Sequence, residues 1–247
     1  MKTKLRKKVK QISIEYKFGD FFRNLIAVIL GIIITFAGSD WITERNTRKE
    51  VKESLQLVKS ELLLNRETMQ NMGNRIALEQ NAARYIFKYK NNPDEVPQDS
   101  ASKYLPILFQ WSKFTFINDA MEMLKTSSLI QKIKNKDLAL QIIKTYGSIK
   151  VIESSFEMYM HYKSKVQDEF NASLQVKACT FEQIKKRENP NLKWDNNSLE
   201  QINLLLFTLP EGLNLLQTIP NIVSPQVYFN STIEIDKAIE AIEKEYK

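Results

Sequence analysis

A catalytic chain needs nucleophiles, bases or metal ligands at a workable spacing, and this chain of 247 residues holds few. His161 is the only histidine, which excludes a multi-histidine metal site and an HExxH motif. Within FEMYMHYKSK it is expected at the edge of an apolar stripe or in solvent. Cys179 is the only cysteine, so no intrachain disulfide can form, and within VKACTFEQ it reads as a small buried residue. On one continuous helix Cys179 and His161 would lie ~27 Å apart at ~1.5 Å per residue, too far for a nucleophile and its base. The six glycines (Gly19, Gly31, Gly38, Gly73, Gly147 and Gly212) stand singly, so no phosphate-cradling loop can be built. Glu153, Glu157, Asp168 and Glu169 are the carboxylates best placed for paired acid–base work. On a helix, in a chain with 29 acidic residues, they read instead as a solvated face. Trp111 and Trp194 are expected to pack in a core. The inventory assigns no catalytic residue, no cofactor and no metal, and it points away from an enzyme.

Charge is placed more tellingly than its total of +7. Lys2, Lys4, Arg6, Lys7, Lys8, Lys10, Lys17 and Arg23 oppose only Glu15 and Asp20, so the first 23 residues carry nearly all of the excess. The body is close to neutral, unlike a nucleic-acid-binding domain with a basic face. Next comes RNLIAVILGIIITFAGSDWITERNTRKE, in which residues 24–39 are uncharged. Extended from Phe21 to Ile42, this run spans about 33 Å as a helix, enough for a hydrocarbon core of roughly 30 Å. Arg23 would snorkel at one end and Trp41 would sit at the other interface. A soluble core helix would show regular polar positions, yet Leu25 to Phe36 offers only Gly31 and Thr35. A cleaved signal peptide, cut near Ala37-Gly38-Ser39, would have an unusually long basic region. A retained transmembrane helix over 24–42 is therefore expected. The excess of Lys and Arg before it places the tail of residues 1–23 in the cytoplasm, where anionic lipid would hold it.

No proline precedes Pro93 and none lies between Pro106 and Pro190, which leaves two long stretches free to be helical. In the first, Val51, Leu55, Val58, Leu62, Asn65, Met69, Met72 and Ile76 recur at steps of four and three. Such a helix seam would serve a parallel coiled coil, with Asn65 fixing register. Leu57, Leu63 and Leu64 widen the apolar stripe and favour packing within the same chain. NNPDEVPQDSASKYLP reads as a linker over 93–106. Asn135 is placed to cap a long helix from Lys136, with Leu138, Ile142, Ile149, Ile152, Phe156, Tyr159, Val166, Phe170 and Leu174 at helical spacing and a reach to about Lys186. RENPNLKWDNNS is a second loop, after which Ser198 can cap a short helix to Phe207. Pro210, Pro220 and Pro225 divide the chain beyond that helix into short pieces. Ile233 to Tyr246 reads as a terminal amphipathic helix with Ile233, Ala238, Ile239 and Ile242 on one side.

ILGIIITFAGSDW followed by ERNTRKEVKESL, with Gly31, Trp41, Glu44, Arg45 and Arg48, resembles the junction of apolar and charged helix in bacterial single-pass membrane proteins of domain-of-unknown-function family 6090. EMLKTSSLIQKIKNKDLALQIIKTYGSI is similar to that family's second helical pattern through Leu124, Ile133, Asn135, Leu138 and Tyr146, with Ser128 where glycine is expected. The two segments cover about a quarter of the chain. The resemblance implies a membrane-anchored helical domain and brings no activity or catalytic residues.

Sustained alternation of period two is scarce, so the fold class is all-α. The expected order is a basic tail (1–23), a transmembrane helix (24–42), a juxtamembrane helix (43–92), a linker (93–106) and a helical domain (107–247), with three to five helices outside the membrane. The function expected is interaction or scaffolding on the outer face of a bacterial cytoplasmic membrane, periplasmic in a Gram-negative cell. Its partners would be the lipid bilayer, anionic lipid at the tail, and a second copy or a subunit of a membrane complex, with no nucleic acid. The alternatives are a ligand-sensing subunit that signals through a partner, and an enzyme with a carboxylate site.

Overall fold

The structure, a computed structural model, describes the backbone of residues 2–173 and 196–245 and the side chains of residues 22–173 and 202–245. Among these residues every regular element is helical, as the proline spacing and the scarcity of alternation predict. Helix α1 runs Lys2–Phe87, and the chain divides into two compact units, Met1–Glu53 and Ser54–Lys247.

In the first unit every residue from Phe22 to Asn46 is exposed. The Thr35 hydroxyl donates to the Gly31 carbonyl at 2.8 Å, as hydroxyls do in apolar helices. Where the charges begin, Arg45 lies over the Trp41 ring at 5.7 Å and Arg48 pairs with Glu44 at 2.9 Å, one turn away.

The second unit is a bundle built on the rest of α1. After α1 come α2 (Gln98–Phe109), α3 (Asp119–Thr126), α4 (Leu129–Lys132) and α5 (Lys136–Ser173). The described chain continues with α6 (Asn196–Thr208), α7 (Pro210–Thr218) and α8 (Gln226–Glu245). Helix α5 packs on α7 and α8, and α6 packs on α2 and α7. Asn135 caps α5 as expected, its Oδ1 accepting from the Leu138 N–H at 3.1 Å. The apolar positions read for α5 are buried from Leu138 to Phe170. Pro210 opens α7 at its first turn, where no amide donor is needed. At one end of the bundle Ala82, Ala83 and Ile86 of α1 meet Leu105 and Leu108 of α2, Phe170 of α5, Leu206 of α6 and Leu215 of α7.

Several expectations are corrected. The stretch 93–106 is not wholly a linker, because α2 occupies Gln98–Phe109 and buries Ala101, Leu105, Leu108 and Phe109. Its Asp and Ser residues sit in the first turn, where short polar side chains suit a helix start as well as a loop. The connection falls instead at 110–118, and α1 ends at Phe87 rather than near residue 92. Helix α6 begins before Ser198, and α8 begins before Ile233. Ile233 is exposed, and Tyr228, Thr232 and Ile235 join Ala238, Ile239 and Ile242 on the buried face. Trp111 is exposed on the 110–118 connection rather than packed in the core. Leu57, Leu63 and Leu64 are exposed as well and do not widen the buried stripe. Leu174, Cys179, Lys186 and Trp194 lie outside the described residues.

Two glycines mark close approaches that the sequence did not disclose. A Cβ at Gly73 of α1 would stand 2.8 Å from the Phe229 ring of α8, and one at Gly212 of α7 would stand 2.6 Å from the Leu206 backbone of α6. Ser128, between α3 and α4, has a φ of 58°, the left-handed conformation that glycine adopts without steric cost. It is the position at which the resemblance leads one to expect glycine.

Candidate functional site

The eight seam residues of α1, Val51, Leu55, Val58, Leu62, Asn65, Met69, Met72 and Ile76, are all buried within the single chain. A second helix seated on this seam would have to displace the bundle. The same four-and-three spacing continues through Glu79, Ala83 and Ile86, all buried. Two polar residues, Asn65 and Glu79, thus interrupt one apolar seam. Helix α5 repeats the arrangement, for Phe156, Tyr159, Lys163, Val166 and Phe170 share its buried face and Lys163 interrupts them.

These interruptions find partners across the bundle. Lys163 Nζ lies 2.8 Å from Glu79 Oε2, and both side chains are almost wholly inaccessible to solvent. Arg75 Nε contacts Glu79 Oε1 at 2.7 Å, and the Tyr159 hydroxyl donates to Glu79 Oε2 at 2.5 Å. Three donors thereby hold one buried carboxylate. Burial, reinforced by the Glu79 charge, pushes the Tyr159 phenol well above its ordinary pKa. Charges taken from water cost several kcal/mol each unless paired, so removing one partner is expected to cost about 3–5 kcal/mol.

Lys163 and Arg75 also hold the connection 110–118, and further polar side chains of α1 and α5 hold it and the helix ends beside it. Lys163 Nζ donates to the Gln110 carbonyl at 2.7 Å, Arg75 donates to the Gln110 side chain, and Gln167 donates to the Leu108 carbonyl at 2.6 Å. Asn65 Nδ2 donates to the Ile117 carbonyl at 2.7 Å, and the Ile117 N–H donates back to Asn65 Oδ1 at 2.8 Å. Glu61 Oε2 accepts from the Ala120 N–H at 2.7 Å, which places a carboxylate at the positive N-terminus of α3. The Tyr146 hydroxyl donates to the other Glu61 oxygen. Burial and then that carboxylate push the Tyr146 phenol upward. Buried backbone polar groups need partners, and here polar side chains of α1 and α5 supply them.

This lattice holds the helices and their connection in place. The groups first considered for chemistry are dispersed: His161, Glu157, Asp168 and Glu169 are exposed and Glu153 is half-buried. Among the described residues no three His, Cys, Asp or Glu side chains gather closely enough to hold a metal ion. Glu79 and Lys163 were missed by sequence reading, although the continued seam spacing marks both positions.

The other distinctive region is the apolar part of α1. From Phe22 onward α1 is long and apolar enough, by length and composition, to cross a membrane, and its most apolar window is wholly exposed. Arg23 and Trp41 are exposed toward the two ends of that run. Among the described residues the chain is all-helical, with one long apolar N-terminal helix followed by a bundle of shorter helices. No family model, curated protein or solved structure matches it.

Proposed function

We propose that this chain is a membrane-anchored helical interaction or scaffold protein without catalytic activity. The observation that carries the reading is the run from Phe22 to Ile42, whose apolar side chains are exposed on every side and would be covered by lipid. In a bundle that buries its own apolar seam, such a run has no comparable role in water. In this reading residues 24–42 span a bacterial cytoplasmic membrane, with Arg23 and Trp41 at its two interfaces. The tail of residues 1–23 lies against anionic lipid in the cytoplasm, and the bundle faces the periplasm or cell exterior.

Protease accessibility in spheroplasts tests the proposal, with a different tag at each end of the full chain. Digestion of the carboxyl tag, with the amino tag retained in a small membrane-bound fragment, is the expected result. A carboxyl tag protected until lysis would refute the orientation. An amino tag already lost from the mature protein would identify a cleaved signal peptide and refute the anchor.

A further inference from the structure

Helix α5 buries one face and leaves the opposite one bare. Gly147, Val151, Ser154, Met158 and Tyr162 are exposed, and at ~100° per residue they fall within about 80° of arc. Val151 keeps 67% of its full accessibility, and Met158 and Tyr162 are about half exposed. A Cβ built on Gly147 would meet nothing within 4 Å. The stripe mixes small residues, Gly147 and Ser154, with the larger Val151, Met158 and Tyr162, and gives a second helix both ridges and grooves to pack on.

Charge decides which occupant fits. Lys150 and Glu157 are exposed and flank the stripe on the same side, two turns apart. A two-fold axis perpendicular to α5 returns each flank to its own side, so it brings the Lys150 flank of one copy against the Glu157 flank of the other. With the axis at Ser154, Lys150 of each copy falls within one residue of Glu157 of its partner. The same register brings Val151 within one residue of Met158 and Gly147 within one residue of Tyr162, whose ring can fill the space above the glycine. A parallel pairing would put the two charged flanks on opposite sides of the interface and lose both ion pairs. An isologous surface of this kind is self-complementary.

We propose that this face of α5 is an interface between two copies of the chain, packed antiparallel about a two-fold axis at Ser154. The proposal gives the scaffold reading its protein partner, and it rests on that reading only for the expectation that the bundle binds protein.

Cysteine cross-linking of the full chain in native membranes tests it, in a Cys179→Ser background. Ser154→Cys is expected to cross-link to itself, and Val151→Cys co-expressed with Met158→Cys to give a mixed dimer. Gly147→Cys lies some ~21 Å from its symmetry mate in this register and is expected to give none. Lys150→Glu should reduce the Ser154→Cys product several-fold, and adding Glu157→Lys should restore it. Wild-type chain in detergent micelles should show the mass of two copies. A Gly147→Cys homodimer would overturn the antiparallel geometry. A monomeric mass with no Ser154→Cys product, or a product containing a different protein, would overturn self-association. Membrane extraction and the spheroplast result are independent of these outcomes, so failure of the interface is distinguishable from failure of the anchor.

Discussion

Two stretches of the same helix, residues 22–42 and 54–87 of α1, are built from similar apolar residues and have opposite fates. The first is apolar around its whole circumference and exposed throughout. The second gathers most of its apolar residues on a four-and-three seam that is buried from Leu55 to Ile86, and leaves Leu57, Leu63, Leu64 and Leu78 exposed off that seam. The apolar residue types they use do not separate them. What differs is the angular distribution of apolar groups, which decides whether a helix needs one covered face or a surrounding apolar medium. The second stretch also carries Glu61, Asn65, Arg75 and Glu79, which no fully apolar surrounding would tolerate without partners. Each of these side chains is partnered across the bundle.

The contrast is most directly broken by charging the first stretch. Ile29→Lys combined with Ile33→Lys is expected to remove about 5–7 kcal/mol of insertion free energy, at about 2.5–3.5 kcal/mol per central lysine. The variant should move from the carbonate-resistant membrane pellet to the soluble or aggregated fraction; unchanged retention would mean that 22–42 is not what holds the chain there. In the bundle, Lys163→Met should cost about 3–5 kcal/mol, because Glu79 remains buried with one cation fewer. Adding Glu79→Gln should recover part of that loss in denaturant unfolding of the full chain in micelles. Full additivity of the two losses would show that the two groups are not coupled.

Truncation sharpens the difference in packing. Leu62→Ala, at a wholly buried seam position, should cost about 2–5 kcal/mol. Leu64→Ala, exposed on the same helix, should change bundle stability by less than about 0.5 kcal/mol. Equal effects at the two positions would contradict the seam.

Alkali should act on the bundle rather than on the apolar stretch. The Tyr146 and Tyr159 phenols are shifted upward in the folded state, so the neutral forms favoured there stabilise fully below the unfolded value near 10. As pH rises past about 10 the unfolded chain loses its phenol protons first. Stability should then fall by up to about 1.4 kcal/mol per pH unit for each tyrosine, until the folded values are reached. Tyr159→Phe should flatten the decline, followed by tyrosinate absorbance together with helix content. The smallest effect is expected at Ser128→Gly, which relieves a left-handed serine and should raise bundle stability by up to about 1 kcal/mol after the added freedom of the unfolded chain is deducted.

Much of the α5 register was legible in sequence because helical periodicity repeats along one element, and Asn135 announced its cap. The seam of α1 was legible for the same reason. The boundaries of α2 were not, since Pro93, Asp94, Pro97, Asp99 and Ser100 are as compatible with a helix start as with a loop. Trp111 was misjudged because an aromatic's burial depends on which way an irregular connection runs.

The sequence by itself determined the all-α class, the apolar stretch with its charged flanks, and the two periodic seams, for each is a local pattern: an unbroken apolar run, or a period of about 3.6 residues in place of two. Tertiary structure alone decided that Lys163 meets Glu79 and that Asn65 clamps Ile117. It also decided that Gly73 makes room for the Phe229 ring. Those partners stand 84, 52 and 156 positions apart in the chain, and a pairing over such a separation is fixed by how the helices pack and not by any repeat along one of them.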